Sequence, residues 1–326
     1  MEKFYPVKFA PVPMERIWGG HQLKPWFKEE REAPVGEYWV LSGHPNGTSI
    51  VMNGELVGKS LIELCTEYPE VYLGKSPQPR FPLLIKFLEA NADLSVQIHP
   101  NDEYAQAYEN DFGKTEAWYV LDCLEEGKVN YGHNFASKEE YLAAVSEKRV
   151  KDYLRFRSIK PGDVVFVPAQ TLHALLAGTT VIEVQQTSDV TYRVYDWDRV
   201  DPNGSPRELH VGKAADVLIF DNDHQDSTLV EPTLVCKTDV LEHKQLVTCP
   251  YFVMESIAIR AQAYTLSPGN HGNPDVLIVA EGSGILQWTD GESISLQRGD
   301  TLLIPTTLNE YELKTENGMK VIRTYY

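Results

Sequence analysis

A short glycine motif occurs twice in this chain, and it constrains the fold more than any other feature. The pattern G-D-x4-P begins at Gly162 and again at Gly299, each time enclosing a run of apolar or β-branched residues. A turn followed by such a run is typical of a short β-strand. The copies lie too far apart for a solenoid, whose repeats span about 20–50 residues. We therefore expect two copies of one β unit, of the sandwich or barrel type.

The remaining sequence also favours short strands. Apolar runs at 37–41, 49–52 and 82–88 are separated by turns rich in Gly, Pro and Asn. S-x-x-E sequences that begin at Ser60 and Ser137 predict the starts of two short helices, because serine and glutamate together cap a helix N-terminus. A mainly β protein with a few short helices is predicted.

The length of 326 residues allows about two domains at ~150 residues each. The polar stretch 221–227 is the predicted linker. We expect residues 1–230 to form a first lobe with N-terminal strands and short helices, and residues 231–326 to form a second.

The formal charge of -17 argues against non-specific nucleic-acid binding, which needs a basic face. An anionic substrate would therefore need local lysine and arginine residues. The four cysteines have no CxxC spacing. The N-terminal segment has no apolar run of the ~7–15 residues that a signal peptide needs, and no window approaches the ~18 apolar residues of a membrane span. We expect a cytoplasmic protein with no nucleic-acid or membrane partner.

Two predicted strands carry polar side chains that could converge. On the first, Ser95, Gln97 and His99 share one face, and on the second Lys114 and Glu116 share one face. A short polar loop is expected to bring the two strands together. Amide, imidazole, carboxylate and ammonium groups inside an apolar β framework predict a metal centre beside a cation.

The repeated motif also carries a family resemblance. The pattern G-D-x4-P-x4-H, which ends at His173, looks like the second signature of the cupin superfamily. Gln97-x-His99 followed by Glu116 resembles the first signature, with a glutamine where many cupins have a histidine and a longer gap before the glutamate. The second copy has Glu310 in place of His173, so we expect the C-terminal lobe to be a degenerate, structural cupin.

A wider set of residues resembles the type I mannose-6-phosphate isomerase family, in its short bacterial branch. The matching segments are 14–20, 97–100, 114–119, 172–174 and 192–196, spread over nearly the whole chain. The segment between Glu116 and His173 leaves no room for the large helical insertion of longer members. The resemblance implies two cupin-type jelly-roll β-barrels and an enzyme that interconverts mannose 6-phosphate and fructose 6-phosphate through an enediol-type intermediate.

The resemblance further implies one Zn²⁺ per subunit, held by Gln97, His99, Glu116 and His173. The chemistry of these groups agrees, because imidazole, carboxylate and amide oxygen suit a divalent ion, and a site without thiolate remains a Lewis acid. The alternative for the two histidines is an ordinary place in the core. Residue types alone do not separate zinc from iron or manganese.

The remaining implied site residues are cationic or acidic. Arg193 would stabilise the enediolate or clamp the phosphate, unless it only forms an ion pair with a nearby aspartate. Lys114 would be the base at C1 and C2 or a phosphate anchor, with Glu183 as a rival base. Lys86 and Ser95 match substrate-contacting positions of the family, and a substrate role would explain a lysine within an apolar strand.

Two other functions fit a metal-binding cupin. One is an iron-dependent dioxygenase, and the other is a non-catalytic bicupin that binds carbohydrate. We expect the isomerase to be a monomer or a weak homo-oligomer that acts on a small sugar phosphate.

Overall fold

The computed structural model describes residues 4–200, 203–220, 230–268 and 272–326, and this part of the chain is mainly β. Its strands are Val7–Ala10 (β1), Val12–Gly20 (β2), Val35–Ser42 (β3), Ile50–Val51 (β4), Leu83–Ala90 (β5), Val96–Ile98 (β6), Glu116–Asp122 (β7), Lys128–His133 (β8), Leu154–Ser158 (β9), Val164–Val167 (β10), His173–Leu175 (β11), Thr179–Gln186 (β12), Tyr192–Tyr195 (β13), Thr233–Lys237 (β14), Leu241–Thr248 (β15), Val253–Ile259 (β16), Gln262–Leu266 (β17), Asp275–Gln287 (β18), Ser293–Gln297 (β19), Thr301–Ile304 (β20), Tyr311–Thr315 (β21) and Met319–Tyr325 (β22).

The α-helices of the described chain are short: Lys24–Phe27 (α1), Leu61–Glu67 (α2), Pro69–Tyr72 (α3), Asp102–Tyr108 (α4), Lys138–Ser146 (α5) and Val211–Val217 (α6). Both predicted helix starts are confirmed. Ser60 and Glu63 form a complete capping box at α2, and the Ser137 side chain accepts from the Glu140 N–H at α5. None of the described helices is long and apolar enough to cross a membrane.

The strands form three antiparallel sheets. The six-stranded sheet has the order β10-β7-β12-β5-β3-β2, and the five-stranded sheet has the order β13-β6-β11-β8-β9. The eleven-stranded sheet runs β14-β15-β16-β22-β18-β20-β1-β4, with β17, β19 and β21 branching from this path. Residues of the six- and five-stranded sheets share one apolar cluster, so these two sheets face each other.

Strand alternation explains the lysine in the apolar run 82–88. Leu83, Ile85 and Phe87 of β5 pack into the core between the six-stranded sheet and the eleven-stranded sheet. Lys86 and Leu88 project from the opposite face, toward the five-stranded sheet. The run is apolar because one face lies in a core, and the lysine belongs to the other face.

The two strands that carry the predicted metal ligands are joined differently from the prediction. Instead of a short polar loop, the connection contains helix α4, which Asn101 caps by accepting from the Tyr104 N–H. Strand β6 lies in the five-stranded sheet and β7 lies in the six-stranded sheet. The polar groups therefore converge across two facing sheets.

The repeated motif has the same local structure in both copies. Gly162 and Gly299 both have a φ of 91°, in the region that favours glycine. In each copy the aspartate side chain accepts from the N–H three residues earlier, as Asp163 does from Lys160 and Asp300 from Gln297. The prediction that the motif is a turn before a strand is confirmed at both places.

The first strand links the N-terminal part of the chain to the C-terminal sheet. Strand β1 pairs with β20 on one side and with β4 on the other. Strand β2 follows almost immediately and pairs with β3 in the six-stranded sheet. The predicted linker at 221–227 lies outside the described residues, and the division at residue 230 stays a prediction.

Candidate active site

The five-stranded sheet aligns three of the predicted site residues in one row. Gln97 on β6 lies directly opposite His173 on β11 and opposite Arg193 on β13. Residues opposite each other on neighbouring strands project from the same face of a sheet. An amide, an imidazole and a guanidinium are thus side by side.

Alternation along the β6 segment adds Ser95 and His99 to the same face. Val96 and Ile98, which lie between them, pack into the core on the other side of the sheet. Both Ser95 and His99 are buried. The prediction that Ser95, Gln97 and His99 share a face is confirmed.

Across from this row, Glu116 is the first residue of β7 and is completely buried. Its Oε1 lies 3.3 Å from Nε2 of His173, and its Oε2 lies 3.6 Å from Nε2 of His99. Potential ligand atoms of these three residues all lie within 4.8 Å of one another. We call His99, Glu116 and His173 the buried triad.

The orientation of both imidazoles suits a cation. Nδ1 of His99 is 2.9 Å from the carbonyl oxygen of Val190, and Nδ1 of His173 is 2.8 Å from that of Thr171. Each ring therefore donates its Nδ1–H to the backbone and turns the lone pair of Nε2 toward Glu116. This is the tautomer that a histidine needs in order to bind a metal through Nε2.

Burial adjusts the protonation of the triad. It lowers the pKa of His173 to about 4 and holds the pKa of His99 well below its usual range, so both rings are neutral near pH 7. Burial, followed by the nearby Glu183 carboxylate, raises the pKa of Glu116 to about 7. Nε2 of His99 and Oε2 of Glu116 are buried without a hydrogen-bond partner among the described residues. A divalent cation fits these two atoms, and the only ion-pair contact of the Glu116 oxygen with a lysine among the described residues is the one with Lys114 at 3.3 Å.

Two further predicted residues adjoin the triad. Nζ of Lys114 lies 3.3 Å from Oε2 of Glu116, although β7 begins only after Lys114. The side-chain amide nitrogen of Gln97 lies 3.4 Å from Nε2 of His173. Because the two ends of an amide differ little in shape, a half-turn of this group would present the carbonyl oxygen instead. Gln97 therefore has the reach to be a fourth ligand.

The six-stranded sheet presents a second polar row. Lys86 on β5 lies opposite Glu183 on β12, and Glu183 lies opposite Trp118 on β7. Nζ of Lys86 is 3.0 Å from Oε1 of Glu183. The Trp118 indole donates to both Glu183 Oε2 and Glu116 Oε1, at 3.0 and 3.1 Å. Trp118 thus connects the carboxylate of the triad to the Lys86–Glu183 pair.

The row continues to Glu37, which sequence reasoning missed. Glu37 accepts from Arg16 Nε at 2.9 Å and from Trp39 Nε1 at 2.7 Å, and it lies 3.8 Å from Lys86 Nζ. Burial alone would raise the pKa of Glu37, but Lys86 and Arg16 outweigh it and lower the pKa to about 2. A glutamate at the start of an apolar strand was the signal that could have identified it.

The Lys86 ammonium is held in its charged form. Burial alone would lower the pKa of Lys86, but the carboxylates of Glu183 and Glu37 outweigh burial and raise it above its ordinary value. The same ion pair overcomes burial at Glu183 and lowers its pKa. At neutral pH this pair is fully ionised.

A cavity of about 430 Å³ opens between the two sheets. Of the predicted site residues it is lined by Lys86, Ser95, Gln97, Lys114, Glu183 and Arg193. Its other charged lining residues, which we did not predict as site residues, are Arg16, Glu37, Asp189 and Arg207. The cationic side chains outnumber the carboxylates in this lining, so an anion would find positive charge despite the acidic protein as a whole.

The alternative prediction for Arg193 is an ion pair with a nearby aspartate, and the described residues do not contain that ion pair. Asp196 pairs with Arg199 and Arg207, while Asp198 accepts from the Tyr195 hydroxyl. Arg193 donates from Nη1 to the carbonyl oxygen of Glu208 at 2.7 Å and makes no ion pair with any other described residue. Its guanidinium remains available to an anion in the cavity.

The chain is similar to known proteins over most of its length. The family model of the phosphomannose isomerase type I catalytic domain matches residues 8–124. Mannose-6-phosphate isomerase ManA of Bacillus subtilis (strain 168) is 38% identical over 312 residues, which cover 95% of this chain and 96% of that protein.

Solved structures extend the comparison to the fold. The crystal structure of the mannose 6-phosphate isomerase from Bacillus subtilis matches with a TM-score of 0.90 and 37% identity, covering 99% of this chain and 100% of that one. A more distant mannose 6-phosphate isomerase, crystallised bound with zinc and yttrium, shares the fold with a TM-score of 0.74 at 16% identity, covering 99% of each chain. The chain described here belongs to the type I phosphomannose isomerase family.

Proposed function

We propose that this protein is a metal-dependent aldose–ketose isomerase that interconverts D-mannose 6-phosphate and D-fructose 6-phosphate. The observation that carries the proposal is that Gln97, Lys114 and Arg193 line one cavity, with Lys114 and Gln97 lying 3.3 and 3.4 Å from residues of the buried triad behind it. Moving a proton between two adjacent carbons needs a base, and it needs stabilisation of the oxyanion that develops. The cavity has cations and candidate bases for both tasks, and family membership supports the same reaction.

We propose one Zn²⁺ per subunit, held by Gln97, His99, Glu116 and His173. Neutral imidazoles, a carboxylate and an amide without thiolate are the support for this choice. When bound, a divalent ion supplies Lewis acidity toward a carbonyl or hydroxyl oxygen.

Lys114 is our candidate for the base at C1 and C2. Its one ion-pair partner among the described residues is Glu116, which a bound cation would engage instead. Glu183 is the weaker candidate, because both of its oxygens already have partners in Lys86 and Trp118. Its lowered pKa also makes it a poor proton acceptor.

Arg193 is our candidate to stabilise the enediolate or hold the phosphate. It is a guanidinium without a carboxylate partner in the described chain, next to Gln97 in register. Lys86, Ser95 and Glu183 are assigned to substrate binding, with the fixed Lys86 ammonium contributing positive charge at the cavity wall.

We also propose that the sheets form two cupin-type jelly-roll barrels, with a catalytic lobe of residues 1–230 and a degenerate lobe of residues 231–326. The matching turns at Gly162 and Gly299 support two copies of one unit. A cytoplasmic monomer or weak homo-oligomer completes the proposal.

The test is a coupled assay of mannose 6-phosphate conversion on the wild type and on Arg193→Ala and Lys114→Ala. Each variant should lose about 100–1,000-fold in kcat, the usual effect of removing one preorganised electrostatic group. Arg149→Ala and Lys138→Ala are matched controls, because both side chains are exposed and pair with surface carboxylates. Both controls should keep the wild-type rate.

Unchanged rates in Arg193→Ala and Lys114→Ala would overturn the assignment of catalytic residues. Oxygen uptake without sugar-phosphate turnover would instead favour the dioxygenase. Sugar binding without turnover would favour the non-catalytic bicupin. Metal content is measured on every variant, so that a lost ion is not mistaken for a lost catalytic group.

A further inference from the structure

The eleven-stranded sheet repeats the strand order of the six-stranded sheet. Strands β20-β18-β22-β16-β15 follow one another as β10-β7-β12-β5-β3 do. Both series carry the Gly-Asp turn before the first strand. Both also shift register at the same place, between Trp39 and Leu41 in β3 and between Gln245 and Val247 in β15. A residue of one lobe can therefore be matched with its counterpart in the other.

Register places Asp275 where the first lobe has Glu116. Glu116 opens β7 opposite Val167, the last residue of β10, and Asp275 opens β18 opposite Ile304, the last residue of β20. Asp275 is completely buried, as Glu116 is. The second lobe thus keeps a buried carboxylate at the position of a proposed metal ligand.

The neighbouring pair keeps its place but reverses its charges. In the first lobe Glu183 lies opposite Lys86, and in the second lobe Arg323 lies opposite Glu255. Arg323 therefore stands where Glu183 stands in the first lobe. A cation has replaced a carboxylate one strand away from the buried aspartate.

Arg323 uses that position to bind both acids. Its Nη2 lies 2.7 Å from Oδ2 of Asp275, and its Nη1 lies 3.2 Å from Oε2 of Glu255. His243 completes the group with Nε2 at 3.2 Å from the same Glu255 oxygen. We call these four residues the C-terminal cluster, and all of them are buried.

The predicted counterpart of His173 needs a correction. Motif spacing assigned Glu310, but Glu310 is exposed. The hydroxyl of Tyr311, the first residue of β21, donates to Oδ2 of Asp275 at 2.9 Å. In the second lobe the carboxylate of Asp275 is thus contacted by the hydroxyl of Tyr311, which donates a hydrogen bond. In the first lobe the corresponding carboxylate of Glu116 is contacted by the imidazole of His173, which can bind a metal.

We propose that the guanidinium of Arg323 takes the place of the metal ion in the C-terminal lobe. Buried carboxylates are costly unless a cation accompanies them. In the first lobe Lys86 neutralises Glu183, and the triad is left for a divalent ion, if the metal site proposed above is correct. In the second lobe the single side chain of Arg323 neutralises both Asp275 and Glu255. The chain then holds one divalent ion, and the C-terminal lobe needs none.

Removing the guanidinium tests this substitution. Arg323→Ala leaves the carboxylates of Asp275 and Glu255 and the His243 imidazole around the space that the guanidinium occupied, and carboxylate and imidazole groups can bind a divalent ion there. We expect its melting temperature to fall by more than about 5 °C without metal, because a buried pair is broken, and to rise again when Zn²⁺ is added. Arg323→Lys should keep most of the stability without metal. Arg260 is exposed, so Arg260→Ala is the matched control, and its melting temperature should equal that of the wild type.

The proposal is overturned if Arg323→Lys is as unstable as Arg323→Ala, or if Zn²⁺ leaves Arg323→Ala unchanged. If Arg323→Ala does not fold, the proposal is tested instead by measuring the metal content of the wild type, Asp275→Asn and Glu116→Gln. We expect one equivalent in the wild type, one in Asp275→Asn and none in Glu116→Gln. Two equivalents in the wild type, with one lost in Asp275→Asn, would overturn it. Metal content is independent of turnover, so failure of the isomerase assay would leave this result standing.

Discussion

Lys86 and Glu183 face each other across two neighbouring strands, with Nζ of Lys86 3.0 Å from Oε1 of Glu183. Both side chains are almost fully buried. The pair explains how an apolar strand tolerates a lysine, and it leaves Lys114 as the lysine that adjoins the triad.

Breaking this pair should destabilise the protein strongly. Lys86→Met leaves the Glu183 carboxylate buried without its cation, which typically costs about 3–5 kcal/mol of unfolding free energy. The double variant Lys86→Met/Glu183→Gln should recover part of that loss, because no buried charge is left unpaired. Denaturant unfolding of both variants checks this. Equal stability of the wild type and Lys86→Met would contradict it.

Metal removal should abolish activity reversibly. Chelation should give an inactive protein, and Zn²⁺ should restore the rate. His99→Ala should weaken metal affinity more than about 100-fold, because losing even a hydrogen-bond partner of a ligand typically costs 10–100-fold. The exposed His21→Ala is the matched control. A chelated protein at full rate would rule out the metal-dependent reaction.

Glu37 should affect substrate binding by holding the side chains of Arg16 and Lys86 in place. Glu37→Gln keeps the size of the side chain but removes the charge that binds Arg16 and adjoins Lys86. A charged hydrogen bond contributes about 1.5–3 kcal/mol, so a looser Arg16 should raise KM about tenfold. Steady-state kinetics should show a smaller change in kcat. Glu15→Gln is an exposed control, and an unchanged KM in Glu37→Gln would contradict the role.

His133 should make stability depend on pH in the acid range. Burial lowers its pKa to about 4, against about 6.5 in an unfolded chain. The unfolded state therefore binds more protons between these values. The contribution of His133, roughly 3 kcal/mol, is complete above pH 6.5 and is lost as the pH falls toward 4.

His133→Asn is the variant for this test. In the wild type the Phe135 N–H donates a hydrogen bond to Nδ1 of His133. The side-chain oxygen of an asparagine can accept the same hydrogen bond. Urea unfolding at pH 7 and at pH 4.5 should show a smaller decrease for the variant than for the wild type. Parallel decreases would mean that other groups cause the acid sensitivity.

Local sequence patterns predicted much of this structure. The turns at Gly162 and Gly299, the helix starts at Ser60 and Ser137, and the shared face of the β6 segment follow from short-range chemistry. Such features depend on a few neighbouring residues, and a single sequence therefore reveals them.

The site was only partly predictable, because local sequence patterns relate only residues that are near one another along the chain. Ser95, Gln97 and His99 are related by strand alternation, and Lys114 and Glu116 by proximity along the chain. Glu37, Arg16 and Arg207 come to the cavity from distant segments, and nothing in their local sequence marks them as neighbours. Helix α4 in the connection was missed because we expected a short loop there.

The sequence by itself determined that the chain builds short strands from a repeated turn and that it carries the residue pattern of one family. Only the tertiary structure decided which charges meet. Lys86 is neutralised by Glu183 because β5 and β12 are neighbours in register. Arg323 on β22 reaches Asp275 and Glu255 because β22 lies between β18 and β16. Pairing of strands far apart in the chain sets these contacts, and local composition does not encode it.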